Sequence, residues 1–223
     1  MTSTPDSAPA NAGPRWHRRK EARPTEILDA ALEEFVVKGF AAARLDDIAR
    51  RAGCTKGTIF LYFPTKEDLF KATVREYVLP RIQIAEQTVD QHQGPVRELL
   101  EKVLRARWDG LANTRLSGLP KLMFAEAGNF PDLARFYHEE IVARSQAVIV
   151  RILELGVARG EFRPIDVHAV ALACVSPMLM ASMWKHSFAP CVPRYADAKA
   201  FFDTSLEILL RGIAAEPAQG GRS

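Results

Sequence analysis

The chain has 223 residues, nearly half of them apolar, enough for one large unit or two smaller ones with a proper core. Its 30 lysines and arginines against 27 aspartates and glutamates leave a net charge of only +3, which by itself selects no partner. Three widely spaced cysteines, Cys54, Cys174 and Cys191, exclude a paired zinc or dithiol motif and suit reduced thiols in a cytoplasm, and the first residues, Met-Thr-Ser-Thr-Pro-Asp, lack the charged and apolar regions of a secretion signal.

Residues 1–14 are rich in Pro, Ala, Ser and Asn and have almost nothing to bury, so disorder is expected there. Between Arg15 and Arg23 five basic residues stand against one acid, Glu21. Such a run is either a solvated tail or an arm that follows phosphates or enters a minor groove. From Pro24 the pattern becomes helical: Ile27, Ala31 and Phe35, beside Leu28, Leu32 and Val36, form one wide apolar face, and Gly39 ends the helix.

Arg44 to Phe63 reads as two short helices joined by a tight turn. Leu45, Ile48, Ala49 and Ala52 recur at helical spacing, Gly53 ends that helix, and Thr55 can cap the next, which runs to about Tyr62. On the second helix Ile59 and Phe63 point one way, while Thr58, Leu61 and Tyr62 gather on the other with Gly57 beside them. That outward mixture of small, hydroxyl and apolar groups suits a helix lying in a major groove, and equally a small surface helix with two apolar residues packed on a neighbour. Pro64-Thr65-Lys66-Glu67-Asp68 restarts the chain, with Thr65 as cap and the acids favouring the first turn. Lys66 opposes the dipole there and makes better sense as a phosphate contact. This fourth helix should run from Thr65 to Leu79, or on past Pro80.

Taken together, Ile27-Leu28-Asp29-Ala30-Ala31-Leu32, Gly39-Phe40, Asp47-Ile48-Ala49, Gly57-Thr58-Ile59, Tyr62-Phe63 and Lys66-Glu67-Asp68-Leu69 resemble the DNA-binding domain of a TetR-family transcriptional regulator over residues 24–70. The resemblance implies that the second short helix is the recognition helix, led by Thr55. It places Lys56, Gly57, Thr58, Leu61 and Tyr62 at the operator-contacting positions and Lys66 at a phosphate-contacting one. Two residues depart from the pattern. Phe60 stands where the family usually has a tyrosine that reaches a phosphate, and is left as a core or apolar-contact residue. Ala43 and Arg44 stand where Ser or Thr commonly opens the preceding helix, and Arg44 replaces that hydroxyl with a charged phosphate contact.

Beyond Gly94-Pro95 helix follows helix, with no alternating run long enough for a sheet. The elements expected are residues 96–115, a short segment at 121–127, a long helix at 132–159 ended by Gly160, an apolar helix at 165–184 and a last helix at 196–214. Glu126 to Ala134 and Gly156 to Glu161 also resemble the ligand-binding domains of the same family. Residues 165–184 are formally long enough to cross a bilayer, but Asp166, His168, Ser176, Pro177 and Ser182 and the many alanines argue for a soluble helix covered on both sides. That helix and the last one, from each of two subunits, make a four-helix dimer interface.

No catalytic constellation, phosphate loop or dinucleotide fingerprint is present; His138-Glu139 begins a zincin motif, but Val142 occupies the second histidine's place. An enzyme, a cofactor, a metal site and a membrane partner are therefore not expected. Trp108, Met123, Phe124, Phe130, Phe136, Tyr137, Cys174, Met178 and Trp184 converge as candidate lining for an apolar effector pocket, with His168, Ser176 or Arg107 as candidate polar anchors. The expected organisation is all-α: a basic arm (1–22), a three-helix helix-turn-helix DNA-binding domain (23–70), a larger helical ligand-binding and dimerisation domain (71–215) and a disordered tail (216–223). Its expected partners are a double-stranded DNA operator, a small-molecule effector and a second copy of itself. Low-specificity architectural DNA binding is the competing reading, and an unrecognised enzyme the more distant one.

Overall fold

The structure, a computed structural model, describes residues 15–189, 191, 192 and 197–215, with side chains from Pro24 onward. The tail at 216–223 and the first fourteen residues of the expected arm lie outside the described residues. Among the described residues the fold is helical throughout, with one isolated bridge between Phe162 and Ala214.

Helix α1 spans Arg15–Ala42 and starts earlier than Pro24, which sits inside it. Arg, Lys, Glu and Ala are good helix formers, so the basic run extends the helix backwards. Ile27, Ala31, Leu32 and Phe35 are buried along one stripe. Gly39 breaks the regular helix with φ 81° and ψ 167°, backbone angles that a Cβ would disfavour, and a last turn continues to Ala42. Helices α2 (Leu45–Arg51) and α3 (Lys56–Tyr62) follow, and α4 runs from Lys66 through Pro80 to Gln91, well past Leu79.

The C-terminal half begins with α5 (Val96–Ala112), whose first amide donates to Glu161 Oε2 at 2.6 Å. A 3₁₀ turn at Arg115–Gly118 leads into α6 (Leu119–Glu126). Where one long helix was expected at 132–159, α7 (Pro131–Tyr137) passes through a π-helical stretch, His138–Ala143, into α8 (Arg144–Ala158). Six residues are too few for the sequence pattern to separate a π turn from an α turn. Helix α9 (Val167–Ser187) is capped by Asp166, which accepts from the amides of His168 and Ala169 at 3.0 and 3.1 Å, and α10 (Ala198–Ile213) is capped by Asp197.

Helix α9 is long and apolar enough to cross a membrane, but here it packs on α5, α6, α8 and α10. The two halves share α4 and meet along α1, which touches α4, α6 and the 3₁₀ turn. At the far end the chain clasps itself: Arg163 N donates to Ile213 O and Ala215 N to Glu161 O, both at 3.0 Å. Phe162, folded into this clasp, lies so close to Gly156 that a Cβ there would sit 2.1 Å from its ring. Gly156→Ala is therefore expected to cost about 1–3 kcal/mol by overpacking, lowering Tm by at least ~2 °C in a chain of this size. An unchanged melting curve would show that the Phe162 ring moves aside freely.

Candidate functional site

The turn between α2 and α3 is built entirely from local bonds. Ala52 N donates to Ile48 O at 2.9 Å, Gly53 takes a left-handed φ of 63°, and Cys54 N returns to Ala49 O at 2.9 Å. Thr55 then caps α3: its hydroxyl accepts from Thr58 N at 3.1 Å and lies 2.9 Å from the Thr58 hydroxyl. Ile59 is fully buried on a helix that packs against α2, which fixes the rotation of α3. Ion pairs hold α2 on α1, Lys38 to Asp47 at 2.8 Å and Arg51 to Glu33.

With Ile59 inward, the opposite face of α3 is presented outward. Leu61 is 83% exposed, Tyr62 is exposed beside it, and Gly57 and Lys56 are open to solvent. Thr58 is half-buried, and Lys56 reaches Asp46 at 3.2 Å. Phe60 is exposed, which removes the core alternative for it. Arg44 is exposed at the position before α2, where its side chain makes no capping bond.

Lys66 lies differently from its expected place. Its ammonium donates to the carbonyls of Phe40, Ala41 and Ala43 at 2.8, 3.1 and 3.2 Å and rests 4.7 Å from the centre of the Phe40 ring. Burial pulls its pKa below the ordinary lysine value, partly offset by the Glu126 charge. All three N–H donors are used within the subunit, closing the orphan carbonyls at the end of α1, so a phosphate contact requires one of these bonds to be exchanged.

Glu126, the last residue of α6, completes this junction. It is buried, and its Oε1 accepts from Ala41 N at 3.0 Å and would meet a Cβ on Gly39 at the same distance. Phe40 and Phe130 stack edge to face at 4.8 Å, joining the same two halves through rings. A second junction lies along α1, where Arg115 pairs with Asp29 at 2.6 Å and Tyr77 donates to the same carboxylate at 2.8 Å. Gly118 approaches Val36 so closely that a Cβ would fall at 2.4 Å. Glu126 is not among the residues that the sequence singles out for the site; its signals there are an acid among the apolar residues of a short helix and its place at the head of the Glu126–Ala134 resemblance.

Of the candidate pocket residues, Trp108, Met123, Cys174 and Met178 are buried in the C-terminal half, and Phe130 and Tyr137 are partly so. Phe124 is 65% exposed, because its neighbours Leu122, Met123 and Glu126 claim the inner face of α6; it cannot line an interior space of this subunit. His168 and Ser176 are also exposed, the Ser176 hydroxyl bonding back to Leu172 O at 2.8 Å, whereas Arg107 is partly buried. Burial pushes the Cys174 thiol up to about 12, which leaves it an inert core thiol. An open hollow of about 620 Å³ between α1 and the end of α2 is lined by Glu26, Asp29, Glu33 and Arg51, the wrong chemistry for an apolar ligand. Leu172 and Met180 on α9 and Ile208 on α10 are each more than half exposed, giving these helices an uncovered apolar face.

Residues 27–73 match the family model of bacterial regulatory proteins of the tetR family, and residues 90–199 match that of the tetracyclin repressor-like C-terminal domain. The fatty acid metabolism regulator protein of Bacillus subtilis is 25% identical over 146 residues, covering 66% of this chain and 74% of the relative. The HTH-type transcriptional repressor KstR2 of Mycolicibacterium smegmatis is 28% identical over 151 residues, covering 67% and 72%. Among solved structures, FadR from Bacillus subtilis in complex with stearoyl-CoA superposes with a TM-score of 0.70 at 23% identity, over 85% of this chain and 98% of that one. Two adjoining domain matches in the family's order, on an all-helical fold of the same architecture, place this chain in the TetR family of ligand-responsive, DNA-binding transcriptional regulators.

Proposed function

We propose that the chain is a homodimeric cytoplasmic repressor, released from an inverted-repeat operator when a small apolar or amphipathic effector enters its C-terminal half. The observation that carries this reading is the outward face of α3, where Leu61 and Tyr62 project beside Gly57 and Thr58 from a helix whose cap and buried face are both fixed. Pre-set small, hydroxyl and apolar groups are what base edges and thymine methyls require. In this reading Gly57, Thr58, Leu61 and Tyr62 face the bases, Arg44, Thr55 and Lys56 the phosphates, and Lys66 fastens the end of α1 and meets a phosphate only by exchanging a carbonyl. The exposed face of α9 and α10 is the dimer surface, and two-fold symmetry then demands two half-sites on one side of the duplex. Trp108, Met123, Phe130, Tyr137, Cys174 and Met178 supply the apolar surroundings of the effector. The amphipathic ligands of relatives, such as the stearoyl-CoA bound by FadR of Bacillus subtilis, favour an effector of that general kind.

The deciding experiment is selection of duplexes from a random pool at near-physiological salt. An enriched inverted repeat supports the reading; binding without enrichment that disappears as salt rises favours architectural attachment. On the selected site, Tyr62→Ala should cost about 10- to 100-fold in specific affinity and leave binding to unrelated duplex nearly unchanged. Lys56→Ala should instead weaken both and reduce the salt slope by about one. Equal losses for the two variants would overturn their separate roles.

Effector binding reaches α3 in this proposal through Glu126 and the end of α1. Glu126→Ala leaves the Ala41 amide without its acceptor, an omission that costs about 1–3 kcal/mol where the amide stays buried. The expected result is a repressor that still melts cooperatively but binds the operator about tenfold more weakly, with faster amide exchange at residues 40–43. Unaltered exchange there would remove Glu126 from the route.

A further inference from the structure

Among the described residues, the C-terminal half encloses a charge that no ion pair answers. Arg107, on α5, is surrounded by protein while keeping part of its surface, and among the described residues its guanidinium has neither an ion pair nor a hydrogen bond; the charge that acts on it is that of the Tyr137 phenol at the end of α7. The contrast with other arginines is sharp: Arg105, two residues earlier, pairs with Glu101 and Asp203, and Arg144 makes a two-bond fork to Glu86. Tyr137 is likewise partly buried, and among the described residues its hydroxyl has no hydrogen-bond partner.

Neither group is sealed by apolar atoms. The buried polar atoms that are closed off and unbonded include none from Arg107 or Tyr137, and both residues keep a moderate share of contactable surface. Surface that is open to contact and yet surrounded by protein borders an interior space. Helix α5 packs against α4, α8 and α9 there, and α7 packs against α4 and α6. The π-helical stretch begins at the residue after Tyr137, and such departures from the α-helix recur at functional sites.

An arginine stays charged in a protein, so burial lowers the Arg107 pKa without discharging the group. Burial pushes the Tyr137 phenol up to about 12, which keeps its hydroxyl a donor at neutral pH. A buried charge without a counter-ion is costly, and an arriving anion recovers that cost. A planar fork beside one hydroxyl donor matches the two oxygens of a carboxylate. One positive charge also balances one negative charge, whereas the several phosphate charges of a coenzyme A head would be left unanswered at this point.

We propose that Arg107 and Tyr137 form the anionic anchor of the effector site, and that the effector is an apolar molecule ending in a single carboxylate. This rests on the effector-binding reading above and narrows it to a chemical class. The guanidinium grips both carboxylate oxygens, the Tyr137 hydroxyl donates to one of them, and the apolar body lies among the buried side chains of the C-terminal half.

The test uses the full-length protein, with decanoic and hexadecanoic acids, the matching alcohols and decanoyl-CoA as probes. Calorimetric affinity and release of the selected operator are measured for the wild type, Arg107→Met and Tyr137→Phe. Support is tighter binding of the acids than of the alcohols, with the acid affinity falling about 10- to 100-fold in Arg107→Met, as loss of a charge-assisted bond predicts, and less in Tyr137→Phe. Acids and alcohols that bind alike, or a response confined to decanoyl-CoA, would overturn the anchor while leaving effector-triggered release intact. If no probe binds or releases the operator, both the anchor and the amphipathic-effector reading fall. A readout without ligand stands beside these: Arg107→Met removes an unanswered charge at similar volume, so Tm of the unliganded protein should rise by about 2–4 °C. A lower Tm would show that Arg107 already has a structural partner and would overturn the proposal.

Discussion

The junction of the two halves depends on one backbone turn. Gly39, at φ 81° and ψ 167°, ends the straight run of α1 and swings Phe40 inward, where it meets Phe35, Phe70 and Phe130 at ring-centre distances of 5.7, 5.6 and 4.8 Å. The same turn exposes the amide of Ala41 to Glu126 and the carbonyls of residues 40, 41 and 43 to Lys66. A side chain at position 39 would meet both an unfavourable backbone conformation and the Glu126 carboxylate.

This arrangement gives α3 a firm base with few parts. Helix α3 has seven residues, too few to be stable alone; it is held by the Thr55 cap, by Ile59 beneath it and by the α2 turn. Helix α2 is held in turn by ion pairs to α1 and by Ile48 and Ala49. The orientation of α3 therefore follows α1, and α1 is pinned to the C-terminal half at its end by Glu126 and Phe130 and along its length by Arg115 and the close approach of Gly118. A packed interior resists continuous deformation, so in the proposed mechanism a small displacement of α6 or of the 3₁₀ turn moves α1 as a whole element. Coupling of this kind is reciprocal: whatever the effector does to operator affinity, the operator does to effector affinity.

The C-terminal half divides its charges unevenly. On its surface Arg105, Arg144 and Arg151 all have carboxylate partners, pairs that are exposed and individually worth little. Among the described residues the partly buried Arg107 has none. Natural cores seldom keep such a residue unless something outside the chain completes it, and the exposed apolar faces of α9 and α10 carry the same implication for a second subunit. In the proposed reading both are places where a ligand or a second subunit completes the chain.

Much of this was legible in the residues. Helical spacing gave the buried stripe of α1, the inward Ile59 against the outward Leu61 and Tyr62, and the all-α class; Gly39, Gly53 and Gly160 marked the breaks, and all three take positive φ. Thr55 and Thr65 were readable as caps because a cap and its amide lie three residues apart. Such features are decided within one or two turns of chain. What only the tertiary structure decided lies between residues far apart: Lys66 turning to carbonyls 23 to 26 positions earlier, Glu126 taking an amide 85 positions away, Phe124 facing outward while Met123 faces in, and Arg107 coming to rest near Tyr137 without an ion pair among the described residues. A periodic pattern fixes which face of a helix is apolar, but not which polar group of another helix will be waiting there, because that is set by how whole elements pack.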